Sequence, residues 1–177
     1  MTLMPGMIEG HAHITFINAA PPTDLGDTPP EEHTLIAARN ARLLLDHGFT
    51  GTYGAASAKL RIDVVIRNAI NAGELPGPRM KACGPEITVT GGLGDERRAH
   101  QFRDSFAMVA DGPDEVLKLA RLCIREGVDS IKLNISRDDY TRTGSLPRTV
   151  MSEAEIKAGV MAAHDYHRKV NAHCRAA

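Results

Sequence analysis

Short apolar stretches alternate with longer stretches of helical periodicity along almost the whole chain. The apolar stretches predict five strands, at residues 7–15, 49–56, 79–84, 129–136 and 169–175. The stretches between them predict four helices, at residues 31–46, 60–72, 114–126 and 152–166. Repeated β–α units of this kind form a parallel sheet with helices packed outside it. The sequence therefore predicts an α/β fold in which the five strands are neighbours in chain order.

The charge balance and the apolar runs argue against several classes of partner. Lys and Arg total 21 against 22 Asp and Glu, which disfavours nucleic acid or an anionic membrane surface. No apolar run reaches the ~18 residues of a membrane span, and the N-terminus lacks the pattern of a signal peptide. The three cysteines form no CxxC pair and no disulfide framework, so a cytoplasmic location is expected. A small-molecule substrate is compatible with these features, and so is a homo-oligomer.

Three of the predicted strands carry polar residues at every second position. In a closed barrel wrapped by helices, alternate residues of each strand face the lumen. This alternation sends four side chains into one common interior, namely His11, His13, Lys132 and His173. All four stand toward the C-terminal ends of their strands, where the active sites of such barrels lie. Buried histidine and lysine are costly unless they are paired or bind a metal, so the four residues are candidates for a metal site.

The His-x-His pair of the first strand is the most familiar of these patterns. Two imidazoles at alternate positions point to the same side of a strand, about 6–7 Å apart at the backbone. That spacing suits two ligands of one Zn²⁺. A structural pair or a surface strand explains His11 and His13 as often as a metal does, so the pattern by itself leaves the alternatives open.

Lys132 admits three interpretations. A desolvated lysine has a lowered pKa and becomes a nucleophile, which can add carbon dioxide and form an anionic carbamate that bridges two metal ions. A second interpretation is a Schiff-base lysine like that of barrel aldolases. The third is a lysine of the lumen that pairs with a carboxylate. The histidines predicted to lie nearby favour the metal-bridging carbamate over the other two.

Several motifs in chain order resemble those of the metal-dependent amidohydrolase superfamily. PGMIEGHAH (5–13) resembles its opening strand, and LLDHGFTGT (44–52) resembles its second. GPR (77–79) and TGGLGD (90–95) resemble the subgroup of imidazolonepropionase-like proteins and Xaa-Pro dipeptidases. DSIK (129–132) and VNAH (170–173) are similar to that subgroup's fourth-strand lysine and fifth-strand histidine. The resemblance covers nearly the whole chain and implies a TIM-type (β/α)8 barrel, of which residues 1–177 would hold strands 1–5.

The resemblance also implies a function. It implies hydrolysis of an amide, peptide or urea-like C–N bond by a metal-activated water at a binuclear site. His11 and His13 would hold one divalent ion, expected to be zinc, and His173 would hold a second. Lys132, carboxylated by carbon dioxide, would bridge the two ions as the catalytic lysine. Asp95, at the end of the Gly-rich motif, would contact the substrate.

Two departures from the family pattern bear on this expectation. Leu93 stands where the subgroup usually has histidine, which weakens the dipeptidase interpretation and suits a less polar substrate. An eight-stranded barrel takes ~250 residues, whereas this chain of 177 residues has five predicted strands. The sixth-strand histidine, the eighth-strand aspartate and the small β-domain of the family have no counterpart here. The sequence therefore predicts part of a protein about twice as long.

Three rival functions remain at this stage. A mononuclear deaminase of the same superfamily would not use a bridging carbamate, so Lys132 argues against it. A Schiff-base aldolase would leave His11, His13 and His173 unexplained. The third rival is a non-catalytic half-barrel or an inert homologue. The other histidines are predicted to lie on helices or in loops, namely His33, His47, His100, His164 and His167. His164 and His167 are three apart on a helix and could pair around a metal, but a solvated helix face is the favoured interpretation.

Overall fold

The structure, a computed structural model, describes residues 2–16, 24–102, 104–137 and 148–176. Within these residues seven strands and five helices follow one another in a repeated β–α order. The strands are β1 Met7–Ala12, β2 Phe49–Gly54, β3 Arg79–Lys81, β4 Cys83–Thr88, β5 Met108–Val109, β6 Ser130–Asn134 and β7 Lys169–His173. The helices are α1 Asp24–Asp27, α2 Pro30–Asp46, α3 Ile62–Asn71, α4 Pro113–Arg125 and α5 Glu153–Asp165. Among the described helices, none is long and apolar enough to cross a bilayer.

The helix boundaries follow local signals in the sequence. Pro113 occupies the first turn of α4, where its missing N–H is not needed, and Gly127 follows the helix end with φ 97°. Helix α5 begins with a complete capping box, in which the Ser152 side chain accepts from Glu155 N and the Glu155 side chain accepts from Ser152 N. The four predicted helices are confirmed, with ends that differ by one or two residues. The short α1 was not predicted.

All paired strands of the described sheets run parallel. β1 pairs with β2 and β2 with β3, while β4 lies between β5 and β6, and β6 pairs with β7. The five predicted strands are therefore neighbours in chain order, as expected. β1 and β7 each have one partner strand among the described residues. The small strand β5 was not predicted; it pairs with the end of β4 through Ile87 and Thr88.

The third predicted strand is divided, which corrects the single strand expected at residues 79–84. β3 pairs with β2 and β4 pairs with β6, and Ala82 lies between them. Two carboxylates take the backbone donors at the division: Ala82 N donates to Asp129 Oδ2 at 2.8 Å, and Cys83 N donates to Asp63 Oδ2 at 3.3 Å. Because these donors are already used, the ladder to β2 ends at Lys81.

The core lies between the sheet and the helices that cover it. Every residue of β4 and of β6 is buried, as expected for parallel strands covered on both faces. Helix α4 buries Val116, Ala120, Cys123 and Ile124, which are spaced along one face of the helix. β1 is more open, since Ile8 is 74% exposed. The polar face of β6 is therefore deeply buried, whereas most residues of β1 are accessible to solvent.

Candidate metal centre

The His-x-His pair lies where β1 ends. His11 is an exposed residue of the strand, whereas His13 is the first residue after it and is half-buried. The two ring centroids are 5.0 Å apart with the rings nearly edge to face. The first strand is therefore three residues shorter than predicted, and His13 sits on an irregular segment. The structure still brings the two imidazoles side by side.

Hydrogen bonding fixes the orientation of the His13 ring. Its Nδ1 lies 3.3 Å from Ala56 O, and a carbonyl oxygen can only accept, so Nδ1 carries the proton. Nε2 is then left with a lone pair, as a metal ligand requires. The ring also stacks on Phe16 with centroids 4.2 Å apart. Burial, helped by His11, lowers the pKa of His13 to about 4, so the ring is neutral near pH 7.

Helix α2 holds the turn that follows His13. The Asn40 side chain donates to Ile14 O at 2.8 Å and to Phe16 O at 3.2 Å. His33 is completely buried, and its Nε2 bonds to Thr15 O. The predicted position of His33 on a helix is confirmed, and the structure shows in addition that its side chain is buried in the core. The signal was present in the sequence, because His33 lies on the same helix face as the buried Ala37 and Ala41.

Lys132 is at the centre of β6 and is 1% exposed. Removal from water lowers the pKa of its ammonium group, and the neighbouring charge of Glu86 acts in the opposite direction. Lys132 in turn helps to lower the pKa of both His11 and His13, although burial is the main cause for each. The structure therefore places the lysine within electrostatic reach of the two imidazoles.

Glu86 is a buried residue of the same lumen that the sequence analysis did not identify. It is the register partner of Lys132 across β4 and β6 and is 5% exposed. Its Oε2 accepts from Asn134 Nδ2 at 2.6 Å. Burial raises the pKa of its carboxyl group, against the effects of Asn134 and Lys132. The signal available in the sequence was a single charged residue within Cys83–Thr88, a stretch that is otherwise uncharged.

His173 is the last residue of β7 and is half-buried. It is the register partner of Asn134, while Asn171 is the partner of Lys132. Side chains alternate along a strand, so Lys132 and His173 belong to the same face of the sheet, on adjacent strands and two positions apart. The structure thus keeps His173 on the lumen face and nearer the C-terminal edge than Lys132.

A hydrogen bond attaches the Gly-rich segment after β4, residues 90–95, to a residue of the lumen. Asn134 Nδ2 donates to Leu93 O at 2.9 Å. Asp95 accepts from Gly91 N at 2.8 Å and from Ser105 Oγ at 3.0 Å, so each of its carboxylate oxygens holds the loop. Both bonds lie within residues 91–105, so they restrain the Gly-rich segment against its own following residues. Contact of Asp95 with a substrate stays a prediction.

A cleft of about 430 Å³ opens beside the two imidazoles. It lies between the end of β1 and helix α2, and it continues to the start of β2. The residues that line it include His11, His13, Asn40, Leu43, His47 and Phe49. Through this cleft, small molecules from outside the fold can reach His11 and His13.

The arrangement of a His-x-His pair and a buried strand lysine in a parallel β–α fold agrees with a known family. The sequence pattern of the Amidohydrolase family matches residues 2–177. This chain belongs to the Amidohydrolase family. The predicted family and the predicted TIM-type barrel fold class are confirmed.

The similar proteins are longer than this chain. An ochratoxinase from Aspergillus niger is 28% identical over 196 aligned residues, covering 97% of this chain and 38% of the ochratoxinase. A prolidase complexed with N-methylphosphonate-L-proline has a TM-score of 0.85 and 28% identity, covering 97% of this chain and 43% of the prolidase. A Xaa-Pro dipeptidase with methionine in its active site has a TM-score of 0.81 and 27% identity, covering 96% of this chain and 43% of that chain.

The donor set of this amidohydrolase chain fits part of a metal site. Among the described residues, no three His, Cys, Asp or Glu side chains stand close enough to hold one ion. His11 and His13 form a pair of neighbouring imidazoles, and Lys132 is the further side chain within their electrostatic reach. An amine buried in this way can supply oxygen ligands only as a carbamate. The residues present therefore fit a divalent ion on the His-x-His side of the lumen.

Proposed function

We propose that the protein is a metal-dependent hydrolase that cleaves an amide, peptide or urea-like C–N bond of a small molecule. Membership of the Amidohydrolase family supports this, as do the names of the similar ochratoxinase, prolidase and Xaa-Pro dipeptidase. The chain spans 38% of the ochratoxinase's length, so the activity and substrates of the whole protein are part of the proposal. The motif residue Leu93 in place of histidine favours a less polar substrate than a dipeptide.

In the proposed site, His11 and His13 would hold one divalent ion, expected to be zinc, and His173 would take part in holding a second. Lys132, after reaction with carbon dioxide, would supply oxygen ligands to these ions. The observation that carries this assignment is the burial of Lys132, which is 1% exposed on the lumen face of β6 and whose charge acts on both imidazoles. A buried amine with a lowered pKa spends part of its time neutral, and the neutral form is the nucleophile.

Carboxylation changes the charge that Lys132 contributes. Its neutral Nζ attacks the carbon of carbon dioxide, so that an N–C bond forms while one C–O π bond opens onto oxygen. The nitrogen then releases a proton to water, which leaves an anionic carbamate. The product carries two oxygen atoms, which are suitable ligands for divalent ions. When bound, the ions supply an activated water and polarise the scissile carbonyl. The proposed contribution of Asp95 is to contact the substrate from the Gly-rich loop, which its own bonds keep in place.

A second candidate function follows from Glu86. A carboxylate across from Lys132 favours the ammonium form of the lysine and opposes an anionic carbamate. If Lys132 stays an ammonium, the imidazole pair would hold a single ion. This state corresponds to a mononuclear deaminase of the same superfamily. The two candidates differ in whether Lys132 carries carbon dioxide when the metal is bound.

Metal analysis of Lys132→Ala separates the candidates. With a carbamate bridge, the variant should lose metal and activity, and acetate or propionate should restore part of both. Lys157→Ala is the matched control, because that lysine forms an exposed pair with Glu153 on α5. Carbon-13 NMR of protein equilibrated with labelled bicarbonate should show a carbamate signal that Lys132→Ala lacks. Full metal content in Lys132→Ala would refute the bridging role.

The substrate class is tested separately, by assaying hydrolysis of N-acyl amino acids, dipeptides and aryl amides.

A further inference from the structure

The segment that carries His13 makes little use of the strand ladder. Regular pairing of β1 with β2 ends at Ala12, opposite Gly54. The carbonyl groups of residues 14, 15 and 16 therefore need partners from elsewhere, since buried carbonyls are costly when left unpaired. Ile14 and Thr15 are buried, so water cannot serve as the hydrogen-bond partner of their carbonyl groups.

Two side chains of α2 provide those partners. Asn40 uses one amide nitrogen for Ile14 O and Phe16 O, and His33 uses Nε2 for Thr15 O. Three successive carbonyls thus bond to one helix. The opposite side of the turn is held by Ala58 N, which donates to Thr15 Oγ1 at 2.9 Å. The turn is consequently fixed from both sides directly after a proposed metal ligand.

The same turn determines where the His13 imidazole can point. Phe16 N donates to His13 O at 3.1 Å, and the Phe16 ring stacks on the His13 ring. Phe16 is itself held through its carbonyl by Asn40. A shift of the turn would therefore move the ring that packs on His13 and the backbone that carries it. The cleft beside His13 is also lined by Asn40, so the amide lies at the site and not in a remote part of the core.

We infer that Asn40 and His33 are positioning residues for the metal ligand His13. They act through the backbone of residues 14–16 and do not touch the ion. This inference rests on the proposed metal site. Groups that orient a metal ligand typically contribute about 10–100-fold to metal affinity. Loss of either side chain should therefore weaken zinc binding by about that factor while the protein stays folded.

The experiment is a zinc competition titration against a chromophoric chelator, carried out with the protein and a set of variants. His33→Ala and Asn40→Ala remove the bonds to the turn. His33→Gln is the conservative variant, because a glutamine amide nitrogen can occupy the place of Nε2 and donate to Thr15 O. Thr34→Ala is the matched control, since that hydroxyl donates to Pro30 O within the same helix and does not reach the turn. His13→Ala reports on the site itself.

The expected result is about 10–100-fold weaker zinc binding for His33→Ala and Asn40→Ala, with His33→Gln and Thr34→Ala close to the unmodified protein. Cobalt-substituted protein gives a second measurement, because the visible spectrum reports ligand geometry. It should change in His33→Ala and not in Thr34→Ala. Far-UV circular dichroism at the titration temperature establishes that each variant is folded. If Asn40→Ala does not fold, the His33→Ala and His33→Gln pair decides.

The outcomes separate the inference from the proposed function. If His13→Ala leaves zinc binding unchanged, the proposed metal site is wrong and the positioning role falls with it. If His13→Ala abolishes binding but folded His33→Ala and Asn40→Ala bind zinc normally, the metal site stands and the positioning role is overturned. A failure of His33→Gln to restore the affinity lost in His33→Ala would also overturn it.

Discussion

Asn134 and Glu86 form a buried hydrogen bond of 2.6 Å that joins β6 to β4 inside the lumen. The same amide nitrogen donates to Leu93 O at 2.9 Å, so Asn134 also holds the Gly-rich segment. Asn134 is completely buried and Glu86 is 5% exposed, which keeps water from replacing either partner. One side chain thus links two strands and the loop that follows β4.

Replacing Asn134 by leucine should therefore be costly. The change removes the donor and leaves the Glu86 carboxylate and Leu93 O without it, each at a cost of about 1–3 kcal/mol. We expect the free energy of unfolding, measured with urea, to fall by at least about 2 kcal/mol. Glu86→Gln is the control, because its amide oxygen still accepts from Asn134. An equal loss in Glu86→Gln would contradict the importance of this donor.

Asp63 predicts a specific dependence of stability on pH. It is completely buried, and burial raises its pKa to about 7 although Cys83 N donates to it. Its ordinary value is 3.8. The folded state therefore binds the proton more tightly, and the resulting stabilisation is present below the unfolded pKa and is lost as pH rises through about 7.

Asp63→Asn should remove this loss, because the amide cannot ionise and its oxygen can still accept from Cys83 N. The difference in unfolding free energy between the variant and the unmodified protein should increase by about 3 kcal/mol from pH 5 to pH 8. Urea unfolding at several pH values measures it. His13 acts in the opposite direction over part of this range, since its pKa is lowered to about 4, but that effect is common to both proteins. A pH-independent difference would show that Asp63 ionises normally.

Arg67 forms a partly buried ion pair with Asp129, the carboxylate that accepts from Ala82 N between β3 and β4. Arg67 donates to Asp129 Oδ2 at 2.6 Å and to Gly127 O at 3.0 Å, and Asp129 Oδ2 accepts from Ala82 N. The two side chains are 16% and 18% exposed. Arg67→Met leaves a partly buried carboxylate without its cation, and we expect a loss of about 2–4 kcal/mol in urea unfolding.

The control is the Arg42–Asp46 pair of α2, whose side chains are 54% and 46% exposed. Arg42→Met should cost less than about 1 kcal/mol, because exposed ion pairs contribute little. Similar losses in both variants would mean that burial of the Arg67 pair is unimportant.

Features that depend on local sequence were predictable. The alternation of apolar and helical segments indicates the parallel order of the strands, and the Ser152 capping box marks the start of α5. Period-two alternation also places Lys132 on the lumen face with Asn134. These patterns need no knowledge of distant segments, since neighbouring residues determine them.

Features that depend on distant side chains were not predictable. β3 and β4 are separate because Asp63 and Asp129 capture backbone donors at residues 82 and 83. β1 ends early because residues 14–16 bond to His33 and Asn40 on α2. In each case a polar side chain far away in the sequence competes with the strand ladder, and periodicity contains no information about that competition.

The Gly-rich segment provides a pair of substitutions that separates steric contact from backbone conformation. Gly91 and Gly94 both have positive φ, 72° and 89°, so alanine is strained at either position. A Cβ at Gly91 would meet nothing within 4 Å. A Cβ at Gly94 would lie 2.5 Å from the Ala107 Cβ and 3.3 Å from Glu86 Oε2.

Gly91→Ala should accordingly cost about 1 kcal/mol, the conformational term alone. Gly94→Ala should cost about 1–3 kcal/mol more, because the methyl group must push the loop from Ala107 and from the Glu86–Asn134 bond. Urea unfolding of both variants gives the difference. The same displacement should speed hydrogen exchange of the Ala107 amide, which donates to Gly94 O at 3.4 Å, in Gly94→Ala and not in Gly91→Ala. Equal stabilities would mean that the loop can move away from β4 without cost, and that Asn134 does not hold it in place.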